Sequence, residues 1–368
     1  MNPPKSVDKW LLFSVLSILL SGMIMVASSS IDMSQEQYHS PFHFLIKQVI
    51  FMLLALTIAR FTLKCSMKKI EQWSTRIFVA ALFCLGLVLI PHVGHSVNGS
   101  ARWLGVGILG FQVSEFAKLA VILYLAGYLV RRNQQIQHSL SGFIKPLCVL
   151  GLVGGLLLAE PDFGATCVIF GTAMVMMFLA GMRLRYFLLI IIVMALLLIL
   201  IAISSPYRLV RITSFLDPWI NAYGSGYQLT QSLIAFGNGG LWGVGLGNSI
   251  QKLFYLPEAQ TDFLFAVVGE EFGLLGITLL FGFYGLLVCR TFAIARKAQS
   301  MQQHYAGYVC YGIGLWLGLQ FVINVGVNLG VLPTKGLTLP LMSYGGSSLL
   351  IDILAISLLF RTDYECSR

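Results

Sequence analysis

The most restrictive feature of this sequence is a series of long apolar runs with almost no charged residues. About 20 mostly apolar residues are needed to carry a helix across a bilayer, and such runs recur from residue 10 to residue 360. Only 11% of the residues are charged and 57% are hydrophobic, whereas soluble domains carry about 25% charged residues. So little charge cannot cover the surface of a soluble fold. We therefore predict an all-α polytopic membrane protein.

About ten transmembrane helices are predicted, within a single integral membrane domain that covers residues 1–368. The first apolar run follows Lys5 and Lys9, as the apolar core of a signal peptide would. Because this run is long and the ASSS after it is a poor cleavage site, we expect it to be retained as the first helix. The predicted spans are residues 10–27, 43–61, 75–94, 113–130, 146–159, 163–181, 186–204, 263–289, 306–331 and 347–360.

Lysine and arginine are distributed unevenly among the loops, and this distribution sets the orientation of a membrane protein. With the N-terminus inside, 17 of these residues lie on the inner side, 5 in outer loops and 2 within spans. We therefore expect both termini in the cytoplasm. The outer five are Arg102, Arg208, Arg211, Lys252 and Lys335.

The formal net charge of +9 follows from these basic inner loops, which face anionic lipid. No nucleic-acid partner is expected from it. All seven cysteines fall in predicted spans or on the inner side, so the sequence implies neither a structural disulfide nor a cysteine metal site.

The large outer loop between the seventh and eighth spans, residues 205–262, is too long for a simple connection. Arg208 and Arg211 are three residues apart, so on a helical turn they share a face that suits a phosphate or pyrophosphate. A pair of anchors at the membrane interface is the alternative. Residues 227–236 have the pattern of a short amphipathic helix, with Gln228 on its polar side.

Residues 256–271, LPEAQTDFLFAVVGEE, place three acidic residues at the start of the eighth span. Ionisable groups at the edge of a bilayer or inside it are costly, which makes each a functional candidate. Glu270 lies roughly 12 Å deeper than Asp262, and Glu271 lies almost opposite Asp262 around the helix. We expect Glu270 and Glu271 to bond to neighbouring helices or backbone. Asp262 fits a helix cap and a general base for a headgroup hydroxyl equally well.

Two further polar pairs lie at the outer ends of spans. Glu115 and Lys118 are three residues apart, so they either form a structural ion pair or line a polar cavity. Glu160 and Asp162, in AEPDFGAT, occupy the turn between the fifth and sixth spans, where Asp162 is placed to cap the sixth helix.

Lys335 lies in the segment LPTKGLTLPLMSYGGSS, which is rich in proline and glycine. Irregular backbone at membrane depth is tolerated only when it is buried in protein or faces a cavity. We therefore predict that this segment forms a cavity wall.

Together these stretches resemble the SEDS family (shape, elongation, division and sporulation), over nearly the whole chain. NGSARW, the Lys335 segment and the ending RTDYE favour its cell-division members over its elongation members. The motifs that carry the resemblance are NGSARWLGVGILGFQVSEFAKLA, AEPDFGA, GYQLTQSLIAFGNGGLWGVGLGNS, LPEAQTDFLFAVVGEE and LPTKGLTLPLMSYGGSS.

The resemblance implies a peptidoglycan glycosyltransferase that polymerises lipid II into β-1,4 glycan strands. It would act at the outer face of the bacterial inner membrane, during septal cell-wall synthesis. Asp262 is then the catalytic residue. The residues implied to bind substrate are Arg102, Trp103, Glu115, Lys118, Asp162, Arg208, Arg211, Gln228, Lys335 and Ser343.

The resemblance also implies a class B penicillin-binding protein as partner, together with other membrane proteins of the division complex. A divalent cation, Mg²⁺ or Mn²⁺, is one possible source of positive charge for the departing pyrophosphate, but the sequence contains no closed set of metal ligands. A lipid II flippase and a division-complex scaffold are the alternative functions. A flippase needs polar residues on a path to both faces, whereas the polar candidates here are predicted to cluster outside.

Overall fold

The computed structural model describes residues 8–97, 100–105, 110–132, 141–203 and 215–367, and this part of the chain is mainly helical. A helix lies at each predicted span, and the predicted amphipathic segment also forms a helix. The helices are α1 (Lys9–Tyr38), α2 (His43–Thr62), α3 (Met67–Val88), α4 (Val113–Arg131), α5 (Ser141–Ala159), α6 (Phe163–Leu179), α7 (Leu184–Ile203), α8 (Tyr227–Gly239), α9 (Leu264–Ser300), α10 (His304–Asn328) and α11 (Gly346–Glu365).

Seven helices of the described chain are long and apolar enough to cross a membrane, namely α1 to α5, α9 and α10. Helix α6 and the first part of α7 are apolar but shorter. Large side chains such as Phe83 and Leu200 are about two-thirds exposed, as side chains that face lipid are expected to be. The protein is therefore a helical, multi-pass membrane protein, and the count of ten spans stays a prediction.

Several helix ends differ from the predicted ones because polar residues extend a helix beyond its apolar run. Helix α1 continues to Tyr38 rather than ending at residue 27, and the hydroxyl of Ser30 bonds back to the carbonyl of Val26 at 2.6 Å. Helix α9 continues to Ser300, and α5 begins before Pro146, which it contains. The fifth and eighth spans are consequently longer than predicted, and the tenth, which is α11, also extends beyond residue 360 to Glu365.

The loop between α3 and α4 contains a small antiparallel sheet, so the all-α prediction was incomplete. The strands are β1 (Gly94–Val97), β2 (Ser100–Leu104) and β3 (Phe111–Gln112), in the order β1-β2-β3. Trp103 of β2 lies opposite His95 on one side and Gln112 on the other. The amide of Gln112 donates to the hydroxyl of Ser347 at 3.0 Å, which ties the sheet to α11. The sheet thus holds the Arg102–Trp103 pair against the helix bundle.

The two ends of the described chain meet at one end of the bundle. Asp8 caps α1 by accepting from the amides of Trp10 and Leu11, and it pairs with Arg290 of α9 at 2.5 Å. The amide of Asp8 also donates to Asp363 of α11 at 3.1 Å. Both ends therefore lie on the same side of the bundle, as an even number of crossings requires.

Helix α9 is interrupted at Gly273, whose φ of 62° and ψ of −157° suit glycine alone among the residue types. Backbone from residues 240–245 fills the interruption. The amides of Val244 and Gly245 donate to the carbonyls of Glu270 and Glu271, each at 3.0 Å, and the amide of Leu274 donates to the carbonyl of Gly240 at 3.0 Å. Thus part of the predicted outer loop pairs with a membrane helix.

Candidate functional site

Asp262 lies just before α9, at the end of the bundle opposite to the Asp8–Arg290 pair. Its backbone carbonyl accepts from the side-chain amides of Asn324, at 2.9 Å, and Asn328, at 3.1 Å, on α10. Phe263, not Asp262, occupies the N-cap position of α9, and no side chain caps the helix there. The capping explanation of Asp262 is therefore not supported, and the two amides fix the residue through its backbone carbonyl rather than through its carboxylate.

The environment of Asp262 favours the protonated carboxyl group. Burial, helped by the nearby negative charges of Glu258 and Asp162 and opposed by the guanidinium of Arg102, raises the pKa of Asp262 to about 7. An acid with a pKa near 7 is well matched to general-base work near neutral pH. These charges come from three parts of the chain that meet here, namely the loop before α9, strand β2 and the turn between α5 and α6.

A stripe of amides on α10, which the sequence analysis missed, organises this site. Asn324 also donates to the carbonyl of Leu337 at 2.6 Å, and Gln320 donates to the carbonyl of Thr338 at 2.9 Å. Gln320, Asn324 and Asn328 are four residues apart, so they lie on one face of the helix. Three amide side chains at this spacing inside an apolar span could have indicated a polar site in the sequence, because uncompensated polar groups are costly in a membrane.

The segment that carries Lys335 has irregular backbone, and its part from Leu337 onward is largely buried against the bundle, whereas its role as a cavity wall stays a prediction. Leu337, Leu339 and Leu341 are each less than 5% exposed. The hydroxyl of Tyr284 on α9 donates to the carbonyl of Pro340 at 2.5 Å, so backbone groups of the segment find partners within the protein. This arrangement satisfies the condition under which non-helical backbone persists at membrane depth.

Lys335 and Gly336 lie beside the acidic residues of the site. The ammonium of Lys335 lies 4.1 Å from the ring centroid of Phe163, the residue after Asp162. A Cβ atom added to Gly336 would lie 3.0 Å from Oδ2 of Asp262. We call Asp262, Glu258, Arg102, Asp162 and Lys335 the Asp262 cluster.

Arg102 clamps the turn between α5 and α6. Its Nη2 donates to the carbonyl of Pro161 at 2.6 Å, and its Nε donates to the carbonyl of Glu160 at 3.4 Å. Asp162 caps α6 by accepting from the amide of Ala165 at 3.1 Å, which confirms the predicted cap. Asp162 nonetheless contributes its charge to the environment of Asp262.

Glu160 is the most unusual acid near the cluster. It is fully buried, and neither of its carboxylate oxygens has a hydrogen-bond partner among the described residues. Burial, helped by the charge of Asp162 and opposed by Arg102, raises the pKa of Glu160 to about 8. An unpaired buried carboxylate is costly, so the neutral acid is the stable form at neutral pH.

Glu115 and Lys118 form a buried ion pair with an N–O distance of 2.8 Å. Lys118 also donates to Gln320 at 2.7 Å, and its ammonium lies 5.2 Å from the ring centroid of Trp316. The structural ion pair expected from their spacing is present. Gln320 in turn donates to the segment that carries Lys335. The Glu115–Lys118 pair therefore helps to position that segment through Gln320.

Glu270 and Glu271 have separate structural roles, as predicted. Glu270 accepts from the hydroxyl of Ser249 at 2.5 Å and from the amide of Gln251 at 3.2 Å. Glu271 pairs with Lys252 at 3.1 Å and accepts from Ser28 of α1 at 2.7 Å. Both carboxylates are buried and fully engaged.

The remaining predicted residues either lie outside the Asp262 cluster or fall outside the described residues. The hydroxyl of Ser343 donates to the carbonyl of Thr261 at 2.6 Å, so it positions the backbone next to Asp262. Gln228 is half-exposed in the first turn of α8, and Trp103 is half-exposed in β2. Arg208 and Arg211 lie outside the described residues.

A divalent cation has no evident set of ligands in the described residues. They contain no group of three or more histidine, cysteine, aspartate and glutamate side chains that could hold a metal ion. The acids nearest to Asp262 are divided among separate roles, since Asp162 caps α6 and Glu258 accepts from the hydroxyl of Thr261 at 2.8 Å. The residues present therefore do not fit a predefined cation site.

Known proteins resemble this chain over nearly its full length. The family model of the cell cycle proteins FTSW_RODA_SPOVE matches residues 9–368. Proteins named probable peptidoglycan glycosyltransferase FtsW from Legionella pneumophila and Coxiella burnetii are both 53% identical, over 99% and 98% of this chain and 92% and 97% of their own lengths.

Solved structures share the fold. A chain from a peptidoglycan synthase complex, in which polymerization and crosslinking are structurally coordinated, is 30% identical, with a TM-score of 0.84 over 99% of both chains. The rod shape determining protein RodA of Thermus thermophilus is 28% identical, with a TM-score of 0.72 over 99% of both chains. With the family model matched from end to end, this chain belongs to the FTSW_RODA_SPOVE family of cell cycle proteins.

Proposed function

We propose that this protein is a peptidoglycan glycosyltransferase that polymerises lipid II into β-1,4 glycan strands. The observation that carries the proposal is the Asp262 cluster, in which an acid with a pKa of about 7 lies at one end of the bundle beside two cations and two further acids. The names of the relatives from Legionella pneumophila and Coxiella burnetii support the same activity.

Asp262 acts as the general base in this proposal. The 4-hydroxyl of the acceptor GlcNAc attacks the anomeric carbon of a glycan chain that is α-linked to undecaprenyl pyrophosphate. Its proton passes to the Asp262 carboxylate as the new β-linked C–O bond forms and the bond to the pyrophosphate breaks. Attack from the face opposite to the leaving group inverts the anomeric centre. A positioned base contributes about 10²- to 10⁴-fold to the rate.

Positive charge for the departing pyrophosphate comes from Lys335 and Arg102 in the cluster. Arg208 and Arg211, on the same predicted outer side, are further candidates. Such preorganised charge acts most strongly where negative charge develops during the reaction. Trp103, Gln228 and the Glu115–Lys118 pair are assigned to binding or shaping the sugar-pyrophosphate headgroup. Ser343 and Asp162 hold the backbone that surrounds it. No step is assigned to a divalent cation.

The site is proposed to face the outer side of the inner membrane. Position 262 precedes position 290 by 28 residues, which corresponds to at most about 42 Å because α9 is interrupted at Gly273. This distance approaches the full bilayer thickness of about 40–45 Å, so Asp262 lies at one headgroup layer when Arg290 lies at the other. We propose ten spans in a single domain of residues 1–368, with both termini cytoplasmic and residues 205–262 on the outer side.

A class B penicillin-binding protein is the proposed partner, and the resemblance to a chain of a peptidoglycan synthase complex supports it. We further propose action at the division septum, beside other membrane proteins of the division complex. A lipid II flippase is the second candidate. It is less favoured because the described polar candidates gather at one end, whereas the Asp8–Arg290 group at the other end consists of structural pairs.

The test is polymerisation of labelled lipid II by the purified protein together with its penicillin-binding partner. Asp262→Asn is expected to lose glycan synthesis while it keeps its fold and its partner. Asp217→Asn, an exposed acid in the same loop, is the matched control and is expected to retain activity. Full synthesis by Asp262→Asn contradicts the catalytic assignment, and lipid II translocation without polymer supports the flippase.

A further inference from the structure

One peptide group of the segment that carries Lys335 is held from two helices. The carbonyl of Pro340 accepts from the hydroxyl of Tyr284 on α9 at 2.5 Å, and the amide of Leu341 donates to Oδ2 of Asp352 on α11 at 2.9 Å. This carbonyl and this amide belong to the same planar peptide group and point in opposite directions. The two bonds therefore fix the orientation of the group, and both helix side chains are buried.

The residue after this peptide group has a strained backbone. Leu341 has a φ of 63°, in the left-handed region that favours glycine, and its side chain is buried. A rotation of the peptide group before a residue changes the φ of that residue, so a flip of the Pro340–Leu341 group would carry Leu341 out of this region. Strained residues persist only where the surrounding structure holds them. The bonds from Tyr284 and Asp352 hold the peptide group that controls this strain.

The held peptide group lies in a turn that bonds to the loop of Asp262. In this turn, residues 339–343, the amide of Ser343 donates to the carbonyl of Leu339 at 3.0 Å, and the amide of Leu339 donates to the hydroxyl of Ser343 at 2.9 Å. That hydroxyl in turn donates to the carbonyl of Thr261 at 2.6 Å. A flip inside the turn would therefore displace the residue next to Asp262.

Asp352 takes no part in the proposed reaction, although its position is costly. It is fully buried inside the apolar stretch LLIDILAISLLF of α11, and an ionisable group inside a span is a functional candidate by default. We propose that Asp352 and Tyr284 are positioning residues of the candidate site. They hold the Pro340–Leu341 peptide group against the strain at Leu341 and so fix the loop of Asp262. Their effect on the rate rests on the proposed glycosyltransferase function.

The first test is the polymerisation of labelled lipid II by the purified protein with its penicillin-binding partner. Asp352→Ala removes the acceptor of the Leu341 amide, and its rate is expected to fall about tenfold, which corresponds to one hydrogen bond. Asp352→Asn keeps an oxygen for this amide and is expected to retain most of the rate. The matched control is Ser357→Ala, because the hydroxyl of Ser357 bonds within α11, to the carbonyl of Leu354 at 2.6 Å. We expect the control to polymerise at the wild-type rate.

A double variant separates positioning from a general loss of stability. Glycine adopts a positive φ without strain, so Leu341→Gly should make the two bonds unnecessary for the turn. In the Leu341→Gly background, the fall in rate caused by Asp352→Ala is expected to shrink to about twofold or less, the scatter found for independent sites. The melting temperature is not expected to recover, because the amide still lacks its acceptor and the leucine side chain is lost.

Hydrogen exchange tests the effect of the two bonds independently of the reaction. The amides of residues 336–345 are expected to exchange about tenfold faster in Asp352→Ala than in the wild-type protein. Tyr284→Phe removes the opposite bond, so it is expected to act in the same way and replaces Asp352→Ala if that variant does not fold.

The proposal is overturned if neither variant changes the exchange, if both polymerise at the wild-type rate, or if Leu341→Gly leaves the fall in rate at its full size. A wild-type protein that makes no glycan contradicts the proposed function instead. The exchange result then still decides whether Asp352 and Tyr284 hold the turn.

Discussion

The side-chain amide of Asn324 donates to the backbone carbonyl of Asp262 at 2.9 Å and to that of Leu337 at 2.6 Å. One residue of α10 therefore holds the loop before α9 and the irregular segment of Lys335 together. Neither carbonyl belongs to a regular helix, so each depends on a side chain for its partner. The distance between the proposed base and the proposed cation is thus set by an amide that carries no charge.

Asn324→Ala is expected to lower the rate of polymerisation although the proposed base, Asp262, is still present. Loss of the amide removes the side-chain partner of the carbonyl of Leu337, at about 1–3 kcal/mol, while Asn328 still donates to the carbonyl of Asp262. The loop before α9 and the segment of Lys335 can then move apart. Thermal unfolding in detergent and initial rates of glycan synthesis measure the two effects. The exposed Asn221→Ala is the matched control. Wild-type rates in Asn324→Ala would show that the amide does not position the site.

The pH dependence of activity is expected to follow the carboxyl group of Asp262. Its pKa is raised to about 7, and a general base works only when it is deprotonated, so the rate rises as the pH increases through about 7. Arg102 opposes the rise in pKa, so Arg102→Gln moves the midpoint to higher pH. Asp162→Asn moves it to lower pH. Initial rates between about pH 6 and about pH 9 provide the measurement, and a flat profile argues against this base.

Glu160 is expected to make the fold less stable in alkali. Its pKa is raised from 4.5 to about 8, so folding favours the protonated acid. The stability that it contributes is complete below about 4.5 and is lost as the pH rises to about 8. Glu160→Gln removes this slope, for a gain on the order of 5 kcal/mol above pH 8. Melting temperatures between about pH 4.5 and about pH 8 test this prediction, with Asp217→Asn as the control. A pH dependence of stability in Glu160→Gln that equals that of the wild-type protein contradicts it.

Removal of Lys252 is expected to destabilise the protein strongly. Lys252 and Glu271 are both buried, and an unpaired buried charge costs about 3–5 kcal/mol. The comparison is Lys297→Met, because Lys297 is 43% exposed in its pair with Asp363 and exposed pairs contribute about 1 kcal/mol or less. Thermal unfolding in detergent should therefore separate Lys252→Met from Lys297→Met by several degrees. Equal melting temperatures would place Lys252 in water.

Two glycines of α9 are expected to respond oppositely to alanine. A Cβ atom at Gly273 would lie 2.5 Å from the amide nitrogen of Gly243, and the positive φ adds strain; such strain alone costs about 1–3 kcal/mol. A Cβ atom at Gly282 meets nothing within 4 Å, so Gly282→Ala is neutral or stabilises by about 1 kcal/mol. Melting temperatures of the two variants provide the measurement. If Gly273→Ala melts at the wild-type temperature, the backbone of residues 240–245 does not enter the interruption of α9.

Much of the fold was predictable because a membrane span must be long and apolar, and both properties are readable in a sequence. The same rule located Asp262 at the mouth of α9 and assigned Glu270 and Glu271 to structure. The ends of α1 and α9 were not predictable from apolar character, since buried serines and charged residues extend these helices.

The parts that escaped prediction depend on partners that are remote in sequence. The amide stripe of α10 can be assigned a role only when its acceptors are known. These are the carbonyls of Asp262, Leu337 and Thr338, which are remote from it in sequence. Likewise, nothing local to residues 239–255 shows that their backbone completes α9. The unpaired state of Glu160 was equally hidden, because it follows from burial by elements that a sequence does not place.

The contacts of α1 also bear on how the protein is made. Asp8 binds Arg290 and Asp363, Ser28 binds Glu271, and Gly22 packs against the backbone of Met342. Because α1 is synthesised before its partners, it waits in the bilayer for contacts from residues 271–363. During synthesis its serines face lipid until α9 and α11 arrive. A nascent chain that stops before α9 thus leaves the first helix exposed to quality control.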